Sequence, residues 1–521
     1  AMARGATAAA GLVAKRATAD AKGGDGLLPA PPPDSSLSQP VAPPPPYLLQ
    51  RRTDGGSLEE SWRSSETLPS RGSAALSASR LMPLRRVTLA DSLAELSVVL
   101  ASSPPTAARR TGRCALLLGR LVAVTAAAAA FVALLLWAAA HDPLAADWAE
   151  RHARLRGVNF GGWLVAERWL VGPPTVPGVF EPSSSWAQDD EHDASLARRG
   201  SGTTEAVSAF RDVFITRADF AAAAALGLNS VRIPFGWWIA APTDAAAEPY
   251  VRGRGLGYLD DAVLWAEEEG LTVVLDLHGA PGSQNGEQTS GLEYPDWDPS
   301  HFDADAAVWT VETVAARFSN RSCIVAFELL NEPRLGTTAL LEYYRRGSEA
   351  VRRHMPPERV AVVINLYFFQ HMATQAWASF DWRMPARRHP NLVYDLHTYT
   401  CFLERGRGND ASLPLWLYTG PLVELYAALL SITVRPAFAG EWSLCLPWYG
   451  AAAATFRAMN PPEQRALRTG FASRQADALT RGDRLGGHFW TWKAPHEDDK
   501  DSWDFAEIVR RGFIGRGEWA V

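Results

Sequence analysis

Ile324-Val325-Ala326-Phe327-Glu328-Leu329-Leu330-Asn331-Glu332-Pro333 is a short apolar run that stops on a polar pair closed by proline. Val434-Arg435-Pro436-Ala437-Phe438-Ala439-Gly440-Glu441-Trp442-Ser443 repeats the plan further along the chain. Runs of this length, apolar and bounded by turn signals, predict strands buried on both faces. Parallel strands buried that way deliver their last side chains to one end of a sheet, and here each delivers a Glu. Two carboxylates so held can share glycosidic-bond chemistry, one protonating the leaving oxygen and the other attacking the anomeric carbon. For either Glu alone the competing reading is an ordinary charged residue at a strand end.

Working outward, six more runs fit the same plan: Leu155–Phe160, Asn229–Pro234, Thr272–Leu277, Val360–Asn365, Leu392–His397 and Gly487–Trp492, which join Ile324–Leu330 and Pro436–Gly440. Helical spacing lies between several of them, over Arg217–Leu226, Leu259–Glu269, Ala306–Phe318, Leu340–Met355, Leu422–Leu430 and Pro462–Thr480. Alternation of strand and helix argues for a parallel sheet with helices outside. Eight such units over residues 150–521 predict an α/β fold of the (β/α)8 TIM-barrel type, whose active sites lie at the C-terminal strand ends. A doubly wound open sheet is the alternative, but no GxGxxG follows the first strand.

Polar residues do gather at those strand ends. The second strand closes on Val231-Arg232-Ile233-Pro234 and the third on Asp276-Leu277-His278-Gly279. The fourth gives Asn331-Glu332, the sixth His397-Thr398-Tyr399, the seventh Glu441, and the eighth Phe489-Trp490-Thr491-Trp492-Lys493. One His or Arg at a strand end is more often structural. Six strands in agreement point to a site.

The N-terminal part reads differently. Residues 1–108 are rich in Pro, Ala and Ser, with Pro31-Pro32-Pro33 and Pro43-Pro44-Pro45-Pro46, and predict a disordered tail that buries too little apolar surface to offset the entropy of ordering. The proline runs could serve as a spacer or dock in an aromatic-lined groove of a partner protein. Residues 87–100 have the spacing of a short amphipathic helix. Leu121 to Ala140 reads LVAVTAAAAAFVALLLWAAA without a charge, and at helical rise it spans roughly 30 Å, the thickness of a bilayer core. We therefore expect a transmembrane helix within 114–140. Arg109, Arg110, Arg113 and Arg120 precede it, while Asp142, Asp147 and Glu150 follow. The positive-inside rule then leaves the tail cytoplasmic and carries the C-terminal domain across, as a single-pass type II protein facing the secretory lumen or the outside. A cleaved signal peptide ending at Ala138-Ala139-Ala140 is the other reading.

Composition narrows the partners. The formal net charge is -6, with a pI near 6.0, so no basic field exists to hold nucleic acid. Twenty Trp can fill a core or present flat faces to sugars. Cys114, Cys323, Cys401 and Cys445 form no CxxC pair, which disfavours a zinc site. Cys401 and Cys445 both follow predicted strand ends, so a disulfide between them is an open alternative. Asn320-Arg321-Ser322 is the one N-x-S/T sequon after the apolar segment and is placed away from the predicted site.

From Arg156 onward the chain resembles glycoside hydrolase family 5, and within it the exo-β-1,3-glucanases. The resemblance is carried by Arg156-Gly157-Val158-Asn159-Phe160-Gly161-Gly162-Trp163-Leu164, Asn229 to Pro234, His278-Gly279-Ala280-Pro281-Gly282-Ser283-Gln284-Asn285-Gly286, Asn331-Glu332-Pro333, His397-Thr398-Tyr399, Gly440-Glu441-Trp442-Ser443 and Phe489 to Lys493. It implies a retaining double displacement that needs no metal and no cofactor. Glu441 would be the nucleophile, and Glu332 the acid and then the base. Arg232 would keep Glu441 ionised and Tyr399 would hydrogen-bond to it, Asn331 would hold the sugar 2-hydroxyl, and His397 would orient a carboxyl. Glu167, His278, Asn285, Phe402 and Trp490 would bind substrate, with Trp490 as the floor under glucose. The implied substrate is a β-glucan or oligosaccharide. Other β-linkages, a glucolipid, transglucosylation and a silent sugar-binding barrel are the alternatives. The chain departs from similar exo-glucanases where an aromatic and then an acidic residue follow Asn285-Gly286, since it has Glu287 and Gln288 there. It also has Glu167-Arg168-Trp169 where they have Glu-Pro-Tyr.

Overall fold

The structure, a computed structural model, describes residues 141–171, 191, 203–294, 296–366, 375–376, 379–404, 413–495, 500–515 and 519. The tail 1–108, the helix expected at 87–100, the apolar segment 114–140 and Cys114 lie outside the described residues. So do residues 172–190 and 192–202. No described helix is long and apolar enough to cross a membrane.

All eight expected strands form, and they close a barrel in chain order. They are β1 (Leu155–Asn159), β2 (Ser230–Gly236), β3 (Thr272–Gly279), β4 (Ile324–Glu328), β5 (Ala361–Asn365), β6 (Leu392–His397), β7 (Ala437–Trp442) and β8 (Gly486–Phe489). Every neighbouring pair is parallel, and β8 closes on β1 through Leu155↔Gly486 and Val158↔Phe489. The six expected helices appear at Arg217–Ala225, Gly257–Glu269, Ala304–Arg317, Thr337–Arg352, Pro421–Ser431 and Pro461–Thr480. Four boundaries moved in ways that bear on the site, the first being that β7 runs on past Gly440 to Trp442 and so takes Glu441 into the strand. β2 runs on through Pro234 to Gly236. β4 ends at Glu328, so Glu332 lies beyond the strand. β8 ends at Phe489, so Trp490 and Trp492 belong to the loop that follows.

Several helices were not anticipated, Thr203–Phe214, Gly450–Ala458 and Phe505–Arg511 among them, and one bears on the barrel itself. α1 (Pro143–Arg151) starts on a proline at its first turn, and Asp142 caps it by accepting from the amides of Leu144 and Ala145. The same carboxylate accepts from the amide of Asn391 at 2.5 Å, and Trp148 donates from Nε1 to the carbonyl of Val325 at 2.8 Å. α1 thus plugs the N-terminal mouth of the barrel.

The interior has two zones. Trp148, Leu155, Val274, Val325, Ala326, Ala361, Val363, Val393, Phe438 and Leu485 make a dry cluster at the plugged end. Successive side chains of a strand alternate between the helix-facing side and the interior. Along the inward set, apolar gives way to polar: Val274 to Asp276 and His278, Ala326 to Glu328, Val363 to Asn365, and Val393 to Asp395 and His397. The charges therefore sit at the C-terminal end, with a dry base beneath them. Asn320 is exposed just before β4, at the opposite end.

Candidate active site

Arg232 is the hub. Its guanidinium is fully buried. Nε donates to Glu328 Oε2 at 2.8 Å, Nη1 to Asn159 Oδ1 at 2.9 Å and to Glu441 Oε1 at 3.0 Å, and Nη2 to Asn331 Oδ1 at 2.8 Å. Nη2 also pairs with Asp276 at 3.0 Å. Burial disfavours its charge, yet Asp276, Glu328, Glu441 and Asp395 outweigh that and hold it firmly cationic. One cation cannot balance four buried carboxylates. Burial accordingly pushes Glu328 well above the usual carboxylate range and Asp276 up to about 8, against the pull of Arg232.

Glu441 stands in β7 opposite His397 of β6. Tyr399 donates to its Oε2 at 2.7 Å. Burial and the Glu441 charge raise the Tyr399 phenol well above its ordinary value, so it stays a donor. Asp395 fixes the backbone below: the amide of Gly440 donates to its Oδ1 at 2.5 Å, and a Cβ on Gly440 would fall 1.9 Å from Oδ2. That close approach requires glycine before Glu441.

Glu332 sits on a turn with φ 42°, a conformation L residues seldom adopt. The loop after β3 braces it. Gln284 Nε2 donates to the carbonyls of His278 and Asn331 at 2.7 and 3.0 Å, and Asn285 Nδ2 to that of Glu332 at 3.2 Å. Gly282, at φ 76°, makes that loop, since a Cβ there would meet the carbonyl of His301 at 1.7 Å. His397 Nδ1 lies 2.6 Å from Glu332 Oε1 and 3.4 Å from Glu441 Oε2, and its Nε2 lies 3.3 Å from Asp395. Burial opposes a charge on His397, but Glu441, Asp395 and Glu332 outweigh it and lift its pKa well above the ordinary value. One imidazole thus bridges the two glutamates, whose facing oxygens lie within 4.8 Å of each other.

The other expected residues surround this pair. His278 Nδ1 shares a hydrogen bond with Asp276 Oδ2 at 2.7 Å, and the ring stacks on Trp490, with centroids 5.3 Å apart and planes 9° from parallel. Burial holds His278 neutral, with its pKa lowered to about 3. Glu167 is fully buried and accepts from Trp169 Nε1 at 2.9 Å. Burial raises it to about 8, with Glu441 and Glu332 adding to the effect and the Trp169 bond opposing it. Phe402 packs on Tyr399. Asn285 differs from expectation: its amide is spent on the Glu332 turn, and its Oδ1 accepts from the amide of Glu287. Asn331 reaches the site, though its Oδ1 is committed to Arg232.

Sequence reasoning assigned no role to Asp276, Glu328, Asn365 or Asp395. The signal was present as Asp-Leu-His in both β3 and β6, a two-residue spacing that puts both polar side chains on one face. Cys401 and Cys445 are joined, with Cα atoms 5.6 Å apart, and tie the loop after β6 to that after β7. Cys323 is buried and free.

Two groups could in principle close on a cation: Glu328, Asp395 and His397, and Glu332, His397 and Glu441. Both share His397, whose charged form is favoured by Glu441, Asp395 and Glu332. Arg232 already supplies the central positive charge. The arrangement is that of an ion-pair network with two carboxylates across a gap.

The chain is similar to known proteins. Residues 190–446 match the family model Cellulase (glycosyl hydrolase family 5). Probable glucan 1,3-beta-glucosidase A of Emericella nidulans is 30% identical over 393 residues, covering 69% of this chain and 89% of that one. Glucan 1,3-beta-glucosidase of Blumeria graminis is 30% identical over 408 residues, covering 69% and 86%. Among solved structures, rutinosidase from Aspergillus niger superposes with a TM-score of 0.55 at 20% identity, over 71% of this chain and 99% of that one, which speaks to the fold.

Proposed function

We propose, for a chain that belongs to glycosyl hydrolase family 5 and is a glycoside hydrolase, that it cleaves β-glucan by a retaining double displacement and releases glucose from the end of β-1,3-linked chains. The observation that carries the mechanism is the approach of Glu332 and Glu441 to within 4.8 Å across His397. Retaining enzymes hold their carboxyls about 5–5.5 Å apart, whereas inverting ones leave room for a water. The 1,3-linkage and action from the chain end are supported by the names of the relatives.

Glu441 attacks the anomeric carbon. As that bond forms and the glycosidic C–O bond breaks, Glu332 gives its proton to the departing oxygen. Glu332 then takes a proton from water, whose oxygen displaces Glu441 and frees the sugar. Arg232 and Tyr399 hold one oxygen each of Glu441, so its charge is met before and after each step. The proton between His397 and Glu332 is the one at hand for the leaving group. Glu167, His278 and Trp490 line the same end of the barrel and would grip the glucose.

Residues 121–140 anchor this domain as a single-pass type II protein, with the barrel in the secretory lumen or outside. The Cys401–Cys445 disulfide fits an oxidising compartment.

The full chain should be assayed on laminari-, cello- and gentio-oligosaccharides, with product anomers followed by NMR. Release of single glucose units, β-anomer first, from the 1,3-linked series is expected. An α-anomer first product would refute the double displacement. Internal cleavage, or preference for another linkage, would refute the substrate.

A further inference from the structure

Resting on the reading of Glu167 as a residue that grips glucose, we propose that Glu191 is a positioning residue for it: paired with Arg211, Glu191 fixes the backbone at Ala166 and so aims the Glu167 carboxyl. Glu191 is the one described residue between 172 and 202. It is fully buried, although its neighbours in sequence, Asp189-Asp190 and His192-Asp193, are all polar. Its Oε2 accepts from the amide of Ala166 at 2.8 Å, and its Oε1 pairs with Arg211 Nη2. Arg211, in the helix Thr203–Phe214, is itself pinned. Its Nη1 donates to the carbonyl of Val251 at 2.6 Å, and its own carbonyl accepts from Trp163 Nε1 at 2.8 Å.

Glu167 follows Ala166 directly. Its carbonyl accepts from the amides of Leu170 and Val171 at 3.0 Å each. The residue is thus held on one side by the short helix Arg168–Val171 and on the other by Glu191. One carboxyl oxygen of Glu167 accepts from Trp169, while the other, Oε1, is buried and has no hydrogen-bond partner among the described residues. A buried acceptor left unpaired costs free energy until something donates to it. The charges of Glu441 and Glu332 reach Glu167, so it stands beside the reacting pair, where a sugar hydroxyl is the donor that substrate brings. A fully buried ion pair adds little net stability, because desolvation offsets the attraction, and apolar residues of like volume often replace one without loss. What Glu191 and Arg211 add is direction, by tying Trp163, Val251 and the helix of Arg211 to the peptide that precedes Glu167.

The test separates fold from aim. In the full chain carrying Glu441→Gln, laminaritriose is titrated by calorimetry, and unfolding midpoints are measured alongside. Glu191→Leu with Arg211→Met should leave the midpoint close to the parent's and weaken binding about fivefold, the scale of one misplaced hydrogen bond. Arg211→Lys keeps the carboxylate paired and should bind within about twofold of the parent. Added to Glu167→Ala, the double substitution should cost nothing further, since it acts through Glu167. Losses that add, or an unchanged affinity in the folded double variant, overturn the proposal. So does a loss in Arg211→Lys as large as that of the double variant. If Glu167→Ala by itself binds as the parent does, the glucose-gripping reading of Glu167 fails and the proposal falls with it. If the double variant does not fold, Glu191→Gln is put through the same comparison, because its one oxygen cannot serve both Ala166 and Arg211. Cellotriose and gentiotriose take the place of laminaritriose if the parent does not bind it, and binding of none of the three overturns both readings.

Discussion

Glu441 and Glu332 are the same residue type facing each other across His397, yet they are held in opposite ways. Glu441 lies within a strand, with its backbone in register with His397 and its carbonyl accepting from the amide of Thr398. Both its oxygens accept strong hydrogen bonds, and its side chain is 6% exposed. Glu332 lies past the end of its strand at positive φ, its side chain is 16% exposed, and among the described residues its carboxylate meets His397. The first arrangement fixes a carboxyl group in place before any substrate arrives. The second leaves a carboxyl near water, as a group must be that gives up a proton and regains it in every cycle. The contrast is one of position within or beyond a strand, and under the proposed mechanism it separates nucleophile from proton carrier where residue type does not.

The largest expected effect tests that sorting. Glu441→Gln should reduce kcat by roughly 10⁴-fold or more on every substrate, the scale seen when a nucleophile is removed. Glu332→Gln should cost about 10²- to 10⁴-fold on a glucan, and much less on an aryl glucoside whose phenolate departs unprotonated. Steady-state rates on both substrate types decide it. If the two variants lose activity equally on the aryl glucoside, the asymmetry is not functional.

The same asymmetry explains what sequence could and could not reveal. All eight strands were legible, because a parallel barrel strand is an apolar run bounded by turn residues. Arg232, His278, His397, Tyr399 and Glu441 were legible because they close or follow such runs. The positive-φ turn that carries Glu332 was not, since it depends on bracing by Gln284 and Asn285 from another loop. Glu328, Asp276 and Asp395 went unassigned because a charge inside an apolar run reads as an interruption until a buried guanidinium is seen to meet it. α1 carried a readable start in Asp142-Pro143, but the apolar segment before it drew attention away.

Next in size is the disulfide, which acts on the Glu441 side alone. It joins the loops that carry Tyr399 and follow Glu441, across a sequence separation of 44. Closing a loop of that length stabilises by about 4 kcal/mol in the chain-entropy picture. Cys401→Ala with Cys445→Ala should lower urea stability by up to that amount. Hydrogen exchange should quicken at residues 398–402 and 443–449 and stay level at residues 329–334. Equal loosening of the Glu332 turn would mean the two sides are one mechanical unit and would break the contrast.

The smallest effect makes the contrast quantitative through a third carboxylate. Glu167 is raised from 4.5 to about 8, by burial first and then by the charges of Glu441 and Glu332. Folded protein thus keeps a proton that the unfolded chain releases. The resulting stability is fully present below pH 4.5 and is lost as pH climbs to about 8, at about 1.4 kcal/mol per pH unit within the window. Urea unfolding from about pH 5 to about pH 8 should show Glu167→Gln declining less steeply than the parent, because an amide has no proton to lose. Parallel slopes would mean that Glu167 is ionised in the fold throughout. Of the two charges acting on Glu167, that of Glu441 is the stronger. Glu441→Gln should therefore flatten the parent slope more than Glu332→Gln does, and the reverse order would place the fixed negative charge on the wrong glutamate.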